Sequence, residues 1–119
     1  MADRRRDLGD AGEALVAEWY TAAGYTVLER NWRCGEGELD LVVAAPGVLV
    51  FCEVKTRRGA AFGQPFEAVT IAKQRRIRGL AARWLAERRV GAPRIRFDVA
   101  SVTAPRGGSP VIDVIDDAF

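Results

Sequence analysis

The sequence predicts an α/β fold with the element order helix, three strands, helix, two strands. Three observations predict it. Two stretches, near residues 8–22 and 71–89, carry apolar residues at helical spacing. Other runs, rich in Val, Ile and Leu, alternate in polarity or are apolar throughout, as strands are. Glycine and proline punctuate the joints at Gly24, Pro46-Gly47, Gly63 to Pro65, and Gly91 and Pro93.

The first helix is expected from a cap at Asp7 to about Ala23, with Asp10 in its first turn. Leu8, Ala11, Leu15, Trp19 and Ala22 form the expected buried stripe. Glu13 lies off it on one flank, with Tyr20 along the same side, and reads from the residues alone as a solvated charge. Gly24 stops the helix. Tyr25 to Asn31 reads as the first strand, and the polar, glycine-rich WRCGEGE after it as a loop.

From Gly37 to Lys55 the chain reads as two adjacent strands joined by a Pro-Gly turn. On the second, Leu49, Phe51, Glu53 and Lys55 share one face, while Val48, Val50, Cys52 and Val54 share the other. It is apolar on both faces until Glu53, as a buried central strand is when it delivers charge at its end.

The stretch TRRGAAFGQPFEAVT is then a long loop suited to contacting a substrate, carrying Arg57, Arg58 and Gln64. Gln64 could orient a water or contact a sugar, although an ordinary polar loop residue is the simpler reading. Ile71 to about Arg89 is a helix burying Ile77, Leu80, Ala81, Trp84 and Leu85. Lys73, in its first turn, could point back across the sheet towards the acidic residues. Ile95 to Val102 and Val111 to Ile115 are the last strands, and Phe119 is expected to tuck against the core. Asp98 falls on the outer face of its strand with no identifiable neighbour.

At 119 residues and 49% hydrophobic, the chain suits a single domain with one core. No apolar run approaches a membrane span, and the start lacks the apolar segment of a signal peptide. Cys34 and Cys52 lack metal-ligand spacing. A cytoplasmic protein without a membrane segment or structural disulfide is expected. Histidine is absent, which excludes a Ser-His-Asp triad, His-ligated zinc and histidine acid–base catalysis. Any hydrolysis must use carboxylates, lysine, water and metal.

Asp40, twelve intervening residues and then Glu53-Val54-Lys55 suit such chemistry. Carboxylates on neighbouring strand ends can hold a hard cation, which polarises a phosphoryl oxygen or acidifies water. An ammonium beside them can stabilise charge on phosphorus. The same residues could equally be a surface ion pair. Glu38 shares strand parity with Asp40 and could join the set, but reads better as an exposed loop acid. Between Lys73 and Arg96 lie nine basic residues and one acid, Glu87, and Lys55 and Lys73 are the only lysines beside sixteen arginines. Arg75, Arg76 and their neighbours favour an anionic partner, nucleic acid first.

The element order with Glu13, Asp40, Glu53 and Lys55 resembles the PD-(D/E)XK nuclease superfamily. Gly12-Glu13, Gly24-Tyr25, Asn31 with Arg33, and Gly37-Glu38-Leu39-Asp40-Leu41 resemble more closely the YraN family of small bacterial proteins, which look like Holliday-junction resolvases. So do Phe51 to Lys55 with Arg57, Phe62-Gly63, Lys73, Arg96 to Val99 and Ala118-Phe119. The likeness spans nearly the whole chain and departs at Leu39, where the superfamily pattern has proline. It implies a restriction-endonuclease-like three-layer core, a mixed central sheet flanked by helices. It implies that Asp40, Glu53 and the Val54 carbonyl ligate Mg2+ or Mn2+, that Lys55 is catalytic, and that Glu13 assists the metal or its water. The substrate would be a phosphodiester in branched or structured DNA; Arg57, Arg58, Lys73, Arg75 and Arg76, by their positions in the loop and second helix, are the residues expected to bind it. Resolvase-like chains are commonly homodimers; the apolar stripes here neither require nor exclude one. The other readings are a nucleic-acid-binding module with an unused site and, more weakly, an interaction protein that binds no metal.

Overall fold

The computed structural model describes residues 4–58, 69–104 and 108–119. Its elements are α1 (Arg4–Ala22), β1 (Thr26–Cys34), β2 (Gly37–Ala45), β3 (Val48–Arg58), α2 (Ile71–Arg88), β4 (Arg94–Ala104) and β5 (Val111–Ile115). The strands form one sheet in sequence order. Neighbours are antiparallel except β3 and β4, which run parallel from Val48↔Arg94 to Arg58↔Ala104. A parallel pair needs a crossover, and α2 lies within it. This is the mixed sheet with flanking helices expected of a restriction-endonuclease-like core.

Side-chain alternation divides the core in two. Leu49 and Phe51 of β3 and Phe97 and Val99 of β4 pack with Ile77, Leu80, Ala81 and Trp84 of α2. Val50 and Cys52, with Ala100 and Val102, pack on the opposite face with Val16, Ala17 and Tyr20 of α1. Burial on both faces explains why β3 is apolar throughout its first half. Phe51 meets Trp84 edge-on at 5.8 Å and stacks on Phe97 at 5.7 Å, and Phe97 stacks on Phe119 at 5.2 Å. The Ala118 N–H donates to the Phe97 carbonyl at 2.7 Å, so the tail does tuck against the core.

Several local expectations need correction. Helix α1 starts at Arg4, so Asp7 lies inside it rather than capping it; no proline or glycine precedes Asp7 to hold the start there. Its buried face is Gly12, Glu13, Val16, Ala17 and Tyr20; of the expected stripe Leu15 is half-buried against the core, Ala11, Trp19 and Ala22 are exposed, and the side chain of Leu8 lies outside the described residues. The helix is rotated from the stripe that hydrophobicity suggests, with the Tyr20 hydroxyl bonded to buried Asp98. The segment WRCGEGE is not a loop. Strand β1 continues to Cys34 and β2 begins at Gly37, paired with it, leaving Gly35 and Glu36 as the turn. Trp32 and Cys34 pack on the α2 side and stabilise this extension. Gly37, at φ +147°, lies where a Cβ would come within 3.3 Å of Leu80, so glycine lets the hairpin approach α2. Helix α2 is capped by the Thr70 hydroxyl, which accepts from the Lys73 N–H at 3.1 Å, and ends at Arg89 in the left-handed conformation, before Gly91 and Pro93.

Asp98 is the largest departure. It is fully buried. Its Oδ2 accepts from the Tyr20 hydroxyl at 2.6 Å and from Arg96 Nη2 at 2.9 Å; its Oδ1 accepts from Arg96 Nε at 2.9 Å and the Asp117 amide at 3.0 Å. Arg96 also donates to the Tyr25 hydroxyl at 3.2 Å. Removing one partner of such a pair strands the other in the interior. Asp98→Ala is therefore expected to lower stability in urea unfolding by about 3–5 kcal/mol. A loss below about 1 kcal/mol, the size of an exposed pair, would show that the network anchors nothing.

Candidate functional site

The β2–β3 ladder runs from Ala45↔Val48 to Leu41↔Cys52 and stops. Asp40 and Glu53 are the next residues. Where another backbone bond would form, Asp40 Oδ2 accepts from the Val54 N–H at 2.9 Å. That bond fixes a nearly buried carboxylate between the diverging strands. It also brings Asp40 and Glu53 to one cleft of about 250 Å³, shared with Glu38, Lys73 and Arg76 over a floor of Ile77 and Leu80.

Glu53 carries two ammonium partners. Lys55 Nζ, two residues along β3, and Lys73 Nζ, from the first turn of α2, each lie 3.4 Å from the same Oε1. Sequence parity places the Glu53–Lys55 pair; the packing of α2 over the sheet adds Lys73.

Glu13 approaches from α1. It is buried, and its Oε2 has no hydrogen-bond partner. Gly12 makes this approach possible: a Cβ there would overlap the Thr56 hydroxyl and come within 3.2 Å of Thr56 Cβ. Glycine inside a helix costs about 1 kcal/mol relative to alanine, so Gly12 next to Glu13 was a sequence signal for close packing. The solvated reading of Glu13 is thus replaced by a buried one.

These groups perturb one another. Burial, then the negative charge of Glu53, pushes Asp40 up to about 7, although the Val54 hydrogen bond opposes the rise. Burial raises Glu13, partly offset by the Asn31 side chain, and nearby Glu38 raises it further. Asn31 itself holds φ +51° on β1, a contributor that strand periodicity does not reveal. Burial, then the neighbouring Lys73, lowers Lys55 below the ordinary lysine range.

Glu38 is a strand residue rather than a loop acid; it bonds Arg33 at 2.9 Å. Arg57 is half-buried near the end of β3, and Arg75 and Arg76 are exposed on α2. The side chain of Arg58, and Gln64 altogether, lie outside the described residues. The basic run is more compensated than its own sequence suggests, because acids from β1 and the hairpin turn reach it. Arg83 meets Glu36 and Glu87, and Arg88 meets Glu29.

Among the described residues no three His, Cys, Asp or Glu side chains form a group placed to hold a metal ion. The donor chemistry nevertheless fits a hard cation. Asp40 and Glu53 offer carboxylate oxygens at one cleft, burial and Glu53 disfavour the Asp40 charge so that a cation there would be welcome, and Glu13 keeps an unpartnered buried oxygen. Among the described residues no helix is long and apolar enough to cross a membrane.

The sequence pattern of the uncharacterised protein family UPF0102 matches residues 12–102. A UPF0102 protein of Clavibacter michiganensis is 47% identical over 115 residues, covering 97% of this chain and 98% of its own. One of Rhodococcus opacus is 50% identical over 112 residues, 94% of this chain and 95% of its own. One of Frankia alni is 49% identical and covers the whole of both chains.

Two outcomes follow from this geometry. Gly12→Ala should destabilise the chain by about 1–3 kcal/mol through overpacking, despite alanine's better helix propensity. Thr56→Ala in the same chain should recover part of that loss in urea unfolding, and an unaffected single variant would place α1 farther from β3. The second concerns pH. Asp40 in the unfolded chain loses its proton near pH 3.9, about three units below the folded value of about 7. Across that window the folded state binds more protons, so the Asp40 contribution makes stability fall as pH rises and levels off above it. Thermal melts without divalent metal should show this decline, and Asp40→Asn should flatten it. An equally steep decline in Asp40→Asn would assign the proton to another group.

Proposed function

We propose that this chain, which belongs to the uncharacterised protein family UPF0102, is a metal-dependent nuclease that hydrolyses phosphodiester bonds in structured DNA. The observation that carries the reading is the meeting of Asp40, Glu53 and Lys55 at the point where β2 and β3 separate, with Glu13 buried nearby and one of its oxygens unpartnered. Mg2+ or Mn2+ held by Asp40 and Glu53, with the Val54 carbonyl, would supply charge stabilisation at a phosphoryl oxygen and a more acidic water.

The protein's own groups account for the rest. Asp40 is oriented by the Val54 amide, which leaves its other oxygen for a ligand. Lys55 places a short, strongly charged ammonium beside Glu53, where it can stabilise charge building on phosphorus. Glu13, with its raised proton affinity, can take a proton from an attacking water. Arg76 lines the cleft, Arg75 is exposed beside it on α2, and both can hold backbone phosphates.

One observation favours a second reading, a nucleic-acid-binding module with an unused site. Both lysines already engage Glu53, and among the described residues no ready-made group of metal ligands is present.

The deciding experiment incubates the full chain with a four-way junction, a flap, duplex and single-stranded DNA, with Mg2+ or Mn2+ and with chelator. The nuclease reading expects metal-dependent cutting of at least one substrate, abolished by Glu53→Ala while binding persists. Replacing Arg75 and Arg76 together by alanine should weaken binding and lower its salt slope by about 2. Salt-sensitive binding without cutting would favour the module. Cutting by Glu53→Ala at the parent rate would remove the metal site from the mechanism.

A further inference from the structure

Two ammonium groups on a single carboxylate oxygen is an unequal arrangement. One positive charge neutralises Glu53, and the second is surplus there. The surplus is matched by neighbouring acids: Asp40 in the same cleft, whose hydrogen bond comes from a neutral amide, and Glu13 close to Asp40, which keeps one buried oxygen without a partner. The pair of lysines thus supplies the positive charge that a divalent cation would supply in the same place.

We infer that Lys73 is a positioning residue, the resident counter-ion of Glu53, which yields the carboxylate oxygen to a divalent cation when one binds. This rests on the metal-site reading proposed above. The two lysines differ in how easily they can leave. Lys55 belongs to β3, whose backbone is held in register by β4 through Lys55↔Ser101 and its neighbours. Lys73 reaches Glu53 from across the cleft on a four-carbon stem, and its side chain keeps 30% of its exposure. Its backbone is fixed by the Thr70 cap, so a change of side-chain rotamer alone carries the ammonium to the cleft mouth.

Residue type supports the assignment. The chain has sixteen arginines and two lysines, and both lysines meet on this oxygen. A guanidinium would grip a carboxylate through a planar two-pronged fork, whereas an ammonium is a point charge that exchanges more readily. Once released, Lys73 adds its charge to Arg75 and Arg76 at the start of α2. Metal loading and the phosphate-facing surface are then linked through one side chain.

The test is calorimetric titration of the full chain with MnCl2, without nucleic acid, at fixed pH and ionic strength. Lys73→Gln, and independently Lys73→Met, should bind Mn2+ about three- to tenfold more tightly than the parent, the effect of removing one partly screened competing charge. Lys73→Arg should bind no more tightly than the parent. Arg76→Gln removes a cleft charge that makes no ion pair with a carboxylate among the described residues, and should stay within about twofold of the parent. The inference is overturned if neutral variants bind Mn2+ no better than the parent, or if Arg76→Gln gains as much. Mn2+ binding by the parent with unchanged neutral variants overturns the role of Lys73 alone. Absence of binding in the parent and every variant overturns the metal site and this inference together.

Discussion

Both oxygens of Asp98 are spoken for, and no part of the residue reaches solvent. A charge in that position is tolerable only while every partner stays in place. One partner, Tyr20, belongs to α1, and another, the Asp117 amide, to the C-terminal segment. The buried carboxylate therefore sets the rotation of α1 against the sheet. Residues 12, 13 and 16 lie on the Tyr20 face by helical spacing. Once Tyr20 bonds Asp98, Gly12 meets β3 at Thr56 and Glu13 is carried inside. A structural ion pair on β4 thereby determines what α1 presents at the far end of the sheet.

The same chain treats its other buried carboxylates quite differently. Asp98 receives four hydrogen bonds. Asp40 accepts from the Val54 amide and lies in the field of Glu53; Glu13 keeps an oxygen with no partner. Folding alone would favour satisfying these groups or replacing them with apolar ones. The sequence demonstrates with Asp98 that it can satisfy a buried acid, so the shortfall around Asp40 is local. Perturbed groups gathered at a cleft are the pattern that functional sites produce. The contrast within one fold carries more weight than either carboxylate alone.

How much of this was legible follows the physics of each signal. Strand β3 was readable because burial on both faces leaves an apolar run, and the β2–β3 hairpin because Pro46-Gly47 breaks it. Helix α2 was readable from Ile77, Leu80, Ala81 and Trp84. Helix α1 misled because its inner face is built from Gly12, Glu13 and Tyr20, whose burial depends on partners on other strands. Hydrophobic periodicity is blind to such partners, and Trp19 drew the stripe the wrong way. The extension of β1 through Trp32 and Cys34 was masked by the turn-like composition around Gly35 and Gly37. For the site, strand parity joined Glu53 to Lys55, whereas Lys73 on Glu53 depends on where α2 lands. Asp98 could have been suspected from an acid set among Phe97, Val99 and Val102 with Arg96 two residues before it.

The distribution of arginine on α2 shows how tertiary pairing sharpens a blunt compositional signal. Nine basic residues between Lys73 and Arg96 suggest a uniformly cationic surface. Folding gives five of the arginines partners, although Arg78, Arg83, Arg88 and Arg94 stay exposed. Arg78 lies over Phe97 and Phe119; Arg83 and Arg88 bond acids of the hairpin turn, β1 and α2 itself; Arg94 and Arg96 bond Asp117 and Asp98. Exposed Arg75 and Arg76 remain beside Lys73 in the first two turns. No acid occupies the first turn, although the helix dipole favours negative charge there. Placing cations at that end costs the helix a few tenths of a kcal/mol each at an exposed surface. It also concentrates positive potential at the mouth of the acidic cleft. Asp40 and Glu53 thus share one cleft with Lys73 and Arg76, so anionic oxygens lie within it and cationic side chains draw other anions to it.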